Sequence, residues 1–138
     1  MKPLLDTNVW IAGLISRGMC AELIDYCIGE HRLPISDWIS REATGKPASR
    51  FGYSSARLRE VEAWLREVGE YFVLQGEPPS VCRDPDDDYV LHSACRAEAD
   101  CLVTGDQDLL VLGRYEGIVI AASGGGNEDH RRVDHVDP

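Results

Sequence analysis

Residues 101–110 read Cys-Leu-Val-Thr-Gly-Asp-Gln-Asp-Leu-Leu, and this stretch indicates more about the fold than any other. Its first four residues predict a short buried strand, and the Gly-Asp step after them predicts a turn into a small helix. Residues 3–9, Pro-Leu-Leu-Asp-Thr-Asn-Val, repeat the arrangement, because a short apolar strand ends in Asp6 and a helix follows. Strands that end in an aspartate and lead into a helix are typical of a parallel α/β sheet.

The segments between these two motifs continue the alternation of strands and helices. Further strands are predicted at 32–35, 71–74 and 118–122, and helical spacing covers 20–28, 54–68 and 84–95. Ser36 is expected to cap a helix that is interrupted at 45–47, where Gly-Lys-Pro breaks the pattern. The alternation predicts an α/β fold, a three-layer sandwich around a mostly parallel twisted sheet of about five short strands. We expect one domain over residues 1–122.

Charge is unevenly distributed along the 138 residues, whose formal net charge is −10. Residues 84–108 hold eight acids and one base, whereas residues 31–60 hold six bases and three acids. Separate acidic and basic stretches suit a protein that binds a cation at one place and a phosphate at another. No apolar run approaches the roughly 20 residues of a membrane helix, and Asp6 interrupts the region where a signal peptide would be apolar.

The cysteines indicate the cellular compartment. The composition of the C-terminal stretch indicates where the domain ends. Five cysteines with no Cys-x-x-Cys pair favour free thiols in a reducing cytoplasm over disulfides or zinc. From Ser123 the composition becomes glycine-rich and polar, so residues 123–138 are predicted to form a disordered tail. His130 and His135 lie in this tail, and their spacing matches no strong metal motif.

Carboxylates from four separate segments are expected to meet at one edge of the sheet. Asp6 follows the first strand and Asp106 the fourth, so both lie at the carboxyl edge, where parallel sheets bind ligands. Asp87 and Asp88 begin a helix at that edge, and Glu42 lies in the helix after the second strand. Because clustered carboxylates repel one another, a divalent cation such as Mg²⁺ or Mn²⁺ explains the set. Such a metal can activate water to hydrolyse a phosphodiester.

Each acidic motif also has a simpler explanation when it is taken alone. Asp6 could cap the first helix, and the acids of 84–88 could be a solvated helix start. A calcium loop beginning at Asp84 is excluded, because Tyr89 replaces the required glycine and Cys95 replaces the bidentate glutamate. The prediction of a catalytic site therefore depends on the convergence of the acids.

A specific combination of acidic and apolar motifs is spread over residues 3–120. The stretches are Leu5-Asp6-Thr7-Asn8-Val9, Ile35-Ser36, Arg41-Glu42, Cys82-Arg83-Asp84-Pro85-Asp86-Asp87-Asp88, Ala99-Asp100 and Val103-Thr104-Gly105-Asp106-Gln107-Asp108-Leu109-Leu110. In this combination the sequence resembles the PIN domain family, in particular the toxin components of bacterial toxin–antitoxin systems, which are VapC-like ribonucleases. The resemblance implies a Mg²⁺- or Mn²⁺-dependent endoribonuclease that hydrolyses single-stranded RNA.

The resemblance also implies roles for individual residues. The implied catalytic acids are Asp6, Glu42, Asp87 and Asp106. The implied metal ligands are Asp6, Asp87, Asp88, Asp106 and Asp108. Asp87 is preferred to Asp88 as the third acid, because Leu91 and Ala94 then follow four and seven residues later on the inward helix face. Asn8 and Thr104 are implied to orient the carboxylates.

The basic stretch suggests where RNA could bind. The expected phosphate contacts are Arg41, Lys46 and Arg50, and the expected stacking residues are Phe51, Tyr53 or Trp38. A solvated basic helix explains the same residues equally well. The expected partners are an RNA substrate, a cognate antitoxin protein and a second copy in a homodimer.

Two other functions are compatible with part of the sequence. A catalytically inactive PIN-like domain could bind an antitoxin or nucleic acid, but an intact set of mutually repelling acids argues against it. A haloacid-dehalogenase-like enzyme could use Asp6 as a nucleophile, but it would need a second aspartate where this chain has Asn8.

Overall fold

The structure, a computed structural model, describes residues 2–15, 24–25 and 33–123. The strands are β1 (Pro3–Leu5), β2 (Pro34–Ser36), β3 (Glu70–Phe72), β4 (Cys101–Thr104), β5 (Arg114–Tyr115) and β6 (Ile118–Ala122). The helices are α1 (Thr7–Ile15), α2 (Asp37–Phe51), α3 (Ser55–Val68), α4 (Pro85–Arg96) and α5 (Gln107–Leu110). Most of the helix expected at 20–28, and the tail expected after Ser123, lie outside the described residues. Within those ranges, no helix is long and apolar enough to cross a membrane.

Four strands form one sheet in the order β1-β4-β6-β5. β1, β4 and β6 are parallel, β5 is antiparallel to β6, and β2 and β3 form a separate parallel pair. The expected α/β class with a mostly parallel sheet is confirmed. β5 is not evident from the sequence, because its two residues are too few to show a pattern. Positive φ angles at Glu116 and Gly117 form the tight turn that joins it to β6.

The centre of the sheet is apolar on both faces. Every residue of β1 and β4 is buried, and Leu4, Leu5 and Leu102 are fully enclosed. Such continuous apolar strands are typical of parallel sheets with helices on both sides. Trp10 of α1 is also fully buried and meets Trp64 of α3 edge to face, with ring centroids 5.7 Å apart. This core fixes the positions of the strand ends that bear the acids.

The expected interruption of the second helix at 45–47 is wrong, because α2 continues through Gly45 and Pro47. The proline has no N–H, so the helix loses one hydrogen bond at that turn. Ile39, Ala43 and Pro47 are spaced four residues apart and are all buried, which places the proline on the face that packs into the core. We attribute the longer helix to the burial of this face, which offsets the missing hydrogen bond.

Serine side chains cap two helices. Ser36 accepts the backbone N–H of Ile39 at 3.1 Å, which confirms the cap expected from the sequence. Ser54 accepts the N–H of Arg57 at 3.2 Å and begins α3. Both caps satisfy helix donors that would otherwise lack an intrahelical partner, and they set where α2 and α3 start.

Gly69 joins α3 to β3 at a position where a side chain does not fit. A Cβ there would lie 2.6 Å from Ile35 Cγ2 and 2.8 Å from the Leu65 carbonyl oxygen. We expect Gly69→Ala to lower the free energy of unfolding by about 1–3 kcal/mol, because the neighbouring elements must move to admit the methyl group. Denaturant unfolding followed by circular dichroism measures this change.

Gly45→Ala is the matched control for that substitution. Gly45 is exposed within α2, and nothing lies within 4 Å of a Cβ built on it. The added methyl group should raise the free energy of unfolding by about 0.5–1 kcal/mol through its helix propensity. Equal effects of the two substitutions would contradict the close packing inferred at Gly69.

Candidate active site

Strand pairing brings Asp6 and Asp106 to the same edge of the sheet. Asp6 directly follows β1, and Asp106 lies two residues after β4, which is the neighbouring strand. Leu5 pairs with Val103, and the Asp6 N–H donates to the Val103 carbonyl at 2.9 Å. Because these two strands are parallel, both aspartates lie at the carboxyl edge.

Thr104 connects these two acids. Its side chain is fully buried, and its hydroxyl donates to Asp6 Oδ2 at 2.6 Å while accepting the Asp106 N–H at 3.0 Å. Asp106 in turn caps α5, since its Oδ1 accepts the Asp108 N–H at 2.9 Å. One hydroxyl therefore orients the first carboxylate and holds the backbone of the second.

α4 brings a third carboxylate to the same place. Its N-cap, Asp84, accepts the Asp86 N–H at 2.9 Å, which places Asp87 in the first turn. Asp87 is only 7% exposed, and its Oδ2 has no hydrogen-bond partner among the described residues. One carboxylate oxygen each from Asp87, Asp106 and Asp108 lie within 4.8 Å of one another. A buried acceptor without a donor, beside two further carboxylates, is suited to a cation.

Burial and repulsion by neighbouring carboxylates favour the protonated forms of Asp87 and Asp6. Burial, followed by the nearby carboxylates of Asp106 and Asp6, raises the pKa of Asp87 to about 7. Burial also raises the pKa of Asp6, while the Thr104 hydrogen bond and the Lys46 ammonium act in the opposite direction. A divalent cation must therefore displace a proton from Asp87 when it binds near or below neutral pH.

Asp88, the alternative third acid, is engaged by the preceding loop. Its Oδ1 accepts the N–H groups of Val81 and Cys82 at 3.0 and 2.9 Å. Burial, with the Asp88 carboxylate beside it, raises the pKa of Cys82 to about 12, so this thiol stays protonated. Asp88 thus holds the loop before α4, whereas Asp87 lies against the other acids.

Glu42 and Asn8 are not brought into this cluster. Glu42 is half-buried in α2 and does not belong to the group formed by Asp87, Asp106 and Asp108. Asn8 is exposed in the first turn of α1. In the described ranges, neither side chain makes a hydrogen bond to the clustered acids, so the roles expected for both stay predictions.

The expected phosphate contacts are distributed along α2. Lys46 lies close enough to the acids for its ammonium to lower the pKa of Asp6. Arg41 is exposed and pairs with Asp37, with Nη1 3.4 Å from Oδ2. Arg50 is exposed in the last turn of the helix. The three basic residues thus lie on one helix, and Lys46 is the one whose charge acts on Asp6.

Sequence reasoning missed two contacts that position the site. Arg83 Nη2 lies 2.8 Å from Asp108 Oδ1, and the Ser36 and Ser93 hydroxyl oxygens lie 2.8 Å apart in the interior. The serine pair joins the end of β2 to α4. Ser93 could have been noticed as a polar residue on the inward face of a helix, whereas no local pattern links Arg83 to a residue 25 positions later.

Comparison with known proteins identifies the family. A family model described as the PIN domain matches residues 2–108. The chain belongs to the PIN domain family. This PIN domain is similar in fold to a chain of VapBC2 from Rickettsia felis, solved bound to a DNA fragment from its promoter. The TM-score is 0.66 at 11% sequence identity, and the match covers 88% of this chain and 98% of that chain. No curated protein matches the sequence significantly.

The PIN domain family implies a nuclease with a divalent metal, and the side chains present suit such an ion. The group formed by Asp87, Asp106 and Asp108 offers only carboxylate oxygens, which hard divalent cations prefer to thiolate or imidazole ligands. The unpartnered Asp87 Oδ2 supplies the second argument, because a cation would satisfy it.

We expect Asp87→Asn to stabilise the metal-free protein at pH 8 and to lose this advantage near pH 4. The wild-type carboxyl has a raised pKa of about 7 in the folded state, against 3.8 as its ordinary value. Between these values the unfolded chain releases a proton that the folded state retains, so wild-type stability falls as the pH rises. The side-chain amide of the Asp87→Asn variant carries no charge, so the variant does not lose stability in this way as the pH rises.

Thermal unfolding in a chelating buffer at both pH values measures the difference. Asp86→Asn is the control, because Asp86 is exposed in the same helical turn. Its effect should not change with pH in this way. A similar pH dependence in both variants would mean that Asp87 is not specially perturbed.

We expect Thr104→Val to weaken Mn²⁺ binding about 10- to 100-fold, because Asp6 loses the hydroxyl that orients it. Thr104→Ser keeps a hydroxyl at the same place and should bind Mn²⁺ nearly as well as the wild type. Isothermal titration calorimetry of both variants makes the comparison. Equal affinities of the valine and serine variants would show that this hydrogen bond does not control the acids.

Proposed function

We propose that this protein is an endoribonuclease that hydrolyses phosphodiester bonds of single-stranded RNA with Mg²⁺ or Mn²⁺ as its cofactor. The main support is the buried, unpartnered Oδ2 of Asp87 beside the carboxylates of Asp106 and Asp108. Such a group destabilises the folded state unless a cation satisfies it. Membership of the PIN domain family adds the nuclease class to this argument.

Asp6, Asp87 and Asp106 would hold the cation, with Asp108 beside them. The bound ion would lower the pKa of a water molecule and neutralise charge on the phosphate. Thr104 favours the ionised, correctly oriented form of Asp6 by donating a hydrogen bond to it. We retain Glu42 as the proposed fourth acid on the strength of the family motif alone.

The basic residues of α2 support RNA as the substrate. The Lys46 ammonium acts electrostatically on Asp6 and lowers its pKa, and Arg50 follows one helical turn later. Cations next to an acidic site can hold a phosphate backbone that the acids alone would repel. Arg41, which precedes them on α2, is the third proposed phosphate contact.

We also propose that the nuclease is the toxin of a toxin–antitoxin pair and acts in the cytoplasm. The support is the likeness of its fold to a chain of the VapBC2 complex. A cognate antitoxin protein would then bind this chain and restrain its cleavage of RNA. Expression without such a partner should arrest growth, and Asp6→Asn should relieve the arrest.

We expect Asp106→Asn to reduce Mn²⁺-dependent cleavage of single-stranded RNA by about 100-fold or more, because it removes a charged ligand from the proposed metal site. Asp86→Asn removes the same charge from an exposed position in the first turn of α4 and should cut at the wild-type rate. Gel analysis of end-labelled RNA measures both rates. Wild-type cleavage by Asp106→Asn would exclude this site.

A further inference from the structure

The corner between α2 and α3 carries aromatic and basic side chains that the acid site does not use. Phe51 ends α2 and is 50% exposed, and its ring centroid lies 6.1 Å from that of Tyr53, with the planes tilted by 44°. The guanidinium carbon of Arg57 lies 4.9 Å from the Tyr53 ring centroid. We call these three residues, Phe51, Tyr53 and Arg57, the ring platform.

The backbone of this corner is fixed by local interactions. Gly52, which ends α2, has a φ of +64°, and this left-handed conformation favours glycine. The turn at Gly52 brings the two rings next to each other. Ser54 then caps α3 by accepting the Arg57 N–H, so the arginine that covers Tyr53 starts from an ordered turn. The ring platform is thus built before any ligand binds.

Two basic residues, Lys46 and Arg50, precede the ring platform on α2. The Lys46 ammonium lowers the pKa of Asp6 electrostatically, and Arg50 follows Lys46 at the four-residue spacing that places two side chains on one helix face. Phe51 is five residues beyond Lys46, which corresponds to about 7 Å along the helix axis. A few nucleotides of a single strand are therefore enough to extend from Lys46 to Phe51.

We propose that the ring platform is a base-stacking subsite for single-stranded RNA, where Phe51 receives a base a few nucleotides away from the cleaved bond while Lys46 and Arg50 hold the phosphates between. The subsite rests on the proposed ribonuclease function. Arg57 covers one face of Tyr53, so the half-exposed ring of Phe51 provides the open stacking surface. Rings alternating with cations match the apolar bases and anionic phosphates of a single strand.

The charges beside the rings favour RNA over a protein partner. Arg50 precedes Phe51 directly and is exposed, and the exposed Arg57 lies over the neighbouring Tyr53 ring, so the corner carries positive charge, which suits a polyanion. Since every base has an apolar face, stacking on Phe51 would add affinity with little sequence preference.

The test measures RNA binding in the Asp106→Asn background, where cleavage is suppressed. We expect Phe51→Ala to weaken binding of a single-stranded RNA of about eight nucleotides by about 5- to 50-fold, as measured by fluorescence anisotropy with Mg²⁺ present. A dinucleotide, too short to reach the ring platform from the acids, should lose much less affinity. Phe51→Leu keeps an apolar side chain without an aromatic face and should also lose most of the affinity.

Val73→Ala is the matched control, because Val73 is an exposed apolar residue, 60% accessible, outside the ring platform. Wild-type affinity in Phe51→Ala or Phe51→Leu, or equal losses in Phe51→Ala and Val73→Ala, would overturn the subsite and leave the rings as a candidate protein-binding surface. Phe51 is exposed, so its variants should fold, which circular dichroism checks. Failure of the proposed ribonuclease function is seen separately, as absence of cleavage by the wild type, because the binding assay needs no cleavage.

Discussion

Repulsion among carboxylates that meet beside the ends of β1 and β4, two of them buried, is the constraint on which the rest of the structure depends. Asp6 and Asp87 are almost entirely buried, and Asp106 lies close enough to both to raise their pKa values. Keeping such groups together requires rigid support, which the fully enclosed leucines of β1 and β4 provide. Thr104 offsets part of the repulsion by donating to Asp6, and a cation would bind at the unpartnered Oδ2 of Asp87.

Because α2 is uninterrupted, it holds the basic residues Lys46 and Arg50 on the same helix. If the helix had ended before Gly45, Lys46 and Arg50 would lie on an irregular segment with no fixed relation to Asp6. Instead the helix continues, so Lys46 and Arg50 lie at fixed positions on the same helix that ends at Phe51 of the ring platform. The hydrogen bond between Ser36 and Ser93 ties the start of this helix to α4, which bears Asp87. The two proposed functional surfaces therefore share one rigid support.

The net charge of −10 argues against nucleic-acid binding only when it is treated as evenly spread. In the structure, Asp6, Asp87, Asp106 and Asp108 are concentrated at one strand edge, while Lys46 and Arg50 extend from that edge along α2. A divalent cation would offset part of the acidic charge where the phosphate must approach. The negative net charge therefore reflects the proposed metal site and is not an argument against a nucleic-acid partner.

The sequence alone determined the α/β class, the strands that lead to Asp6 and Asp106, and the Ser36 cap, because alternation, turns and caps arise from residues close together in the chain. Helix spacing favoured Asp87 over Asp88, but only the tertiary structure gave the two acids their different contacts, since Asp87 lies against carboxylates that follow a distant strand and Asp88 binds the preceding loop. The continuation of α2 through Pro47 and the contacts of Thr104 and Arg83 were also visible only in the tertiary structure. These outcomes depend on contacts and burial between residues far apart in sequence, which no local pattern records.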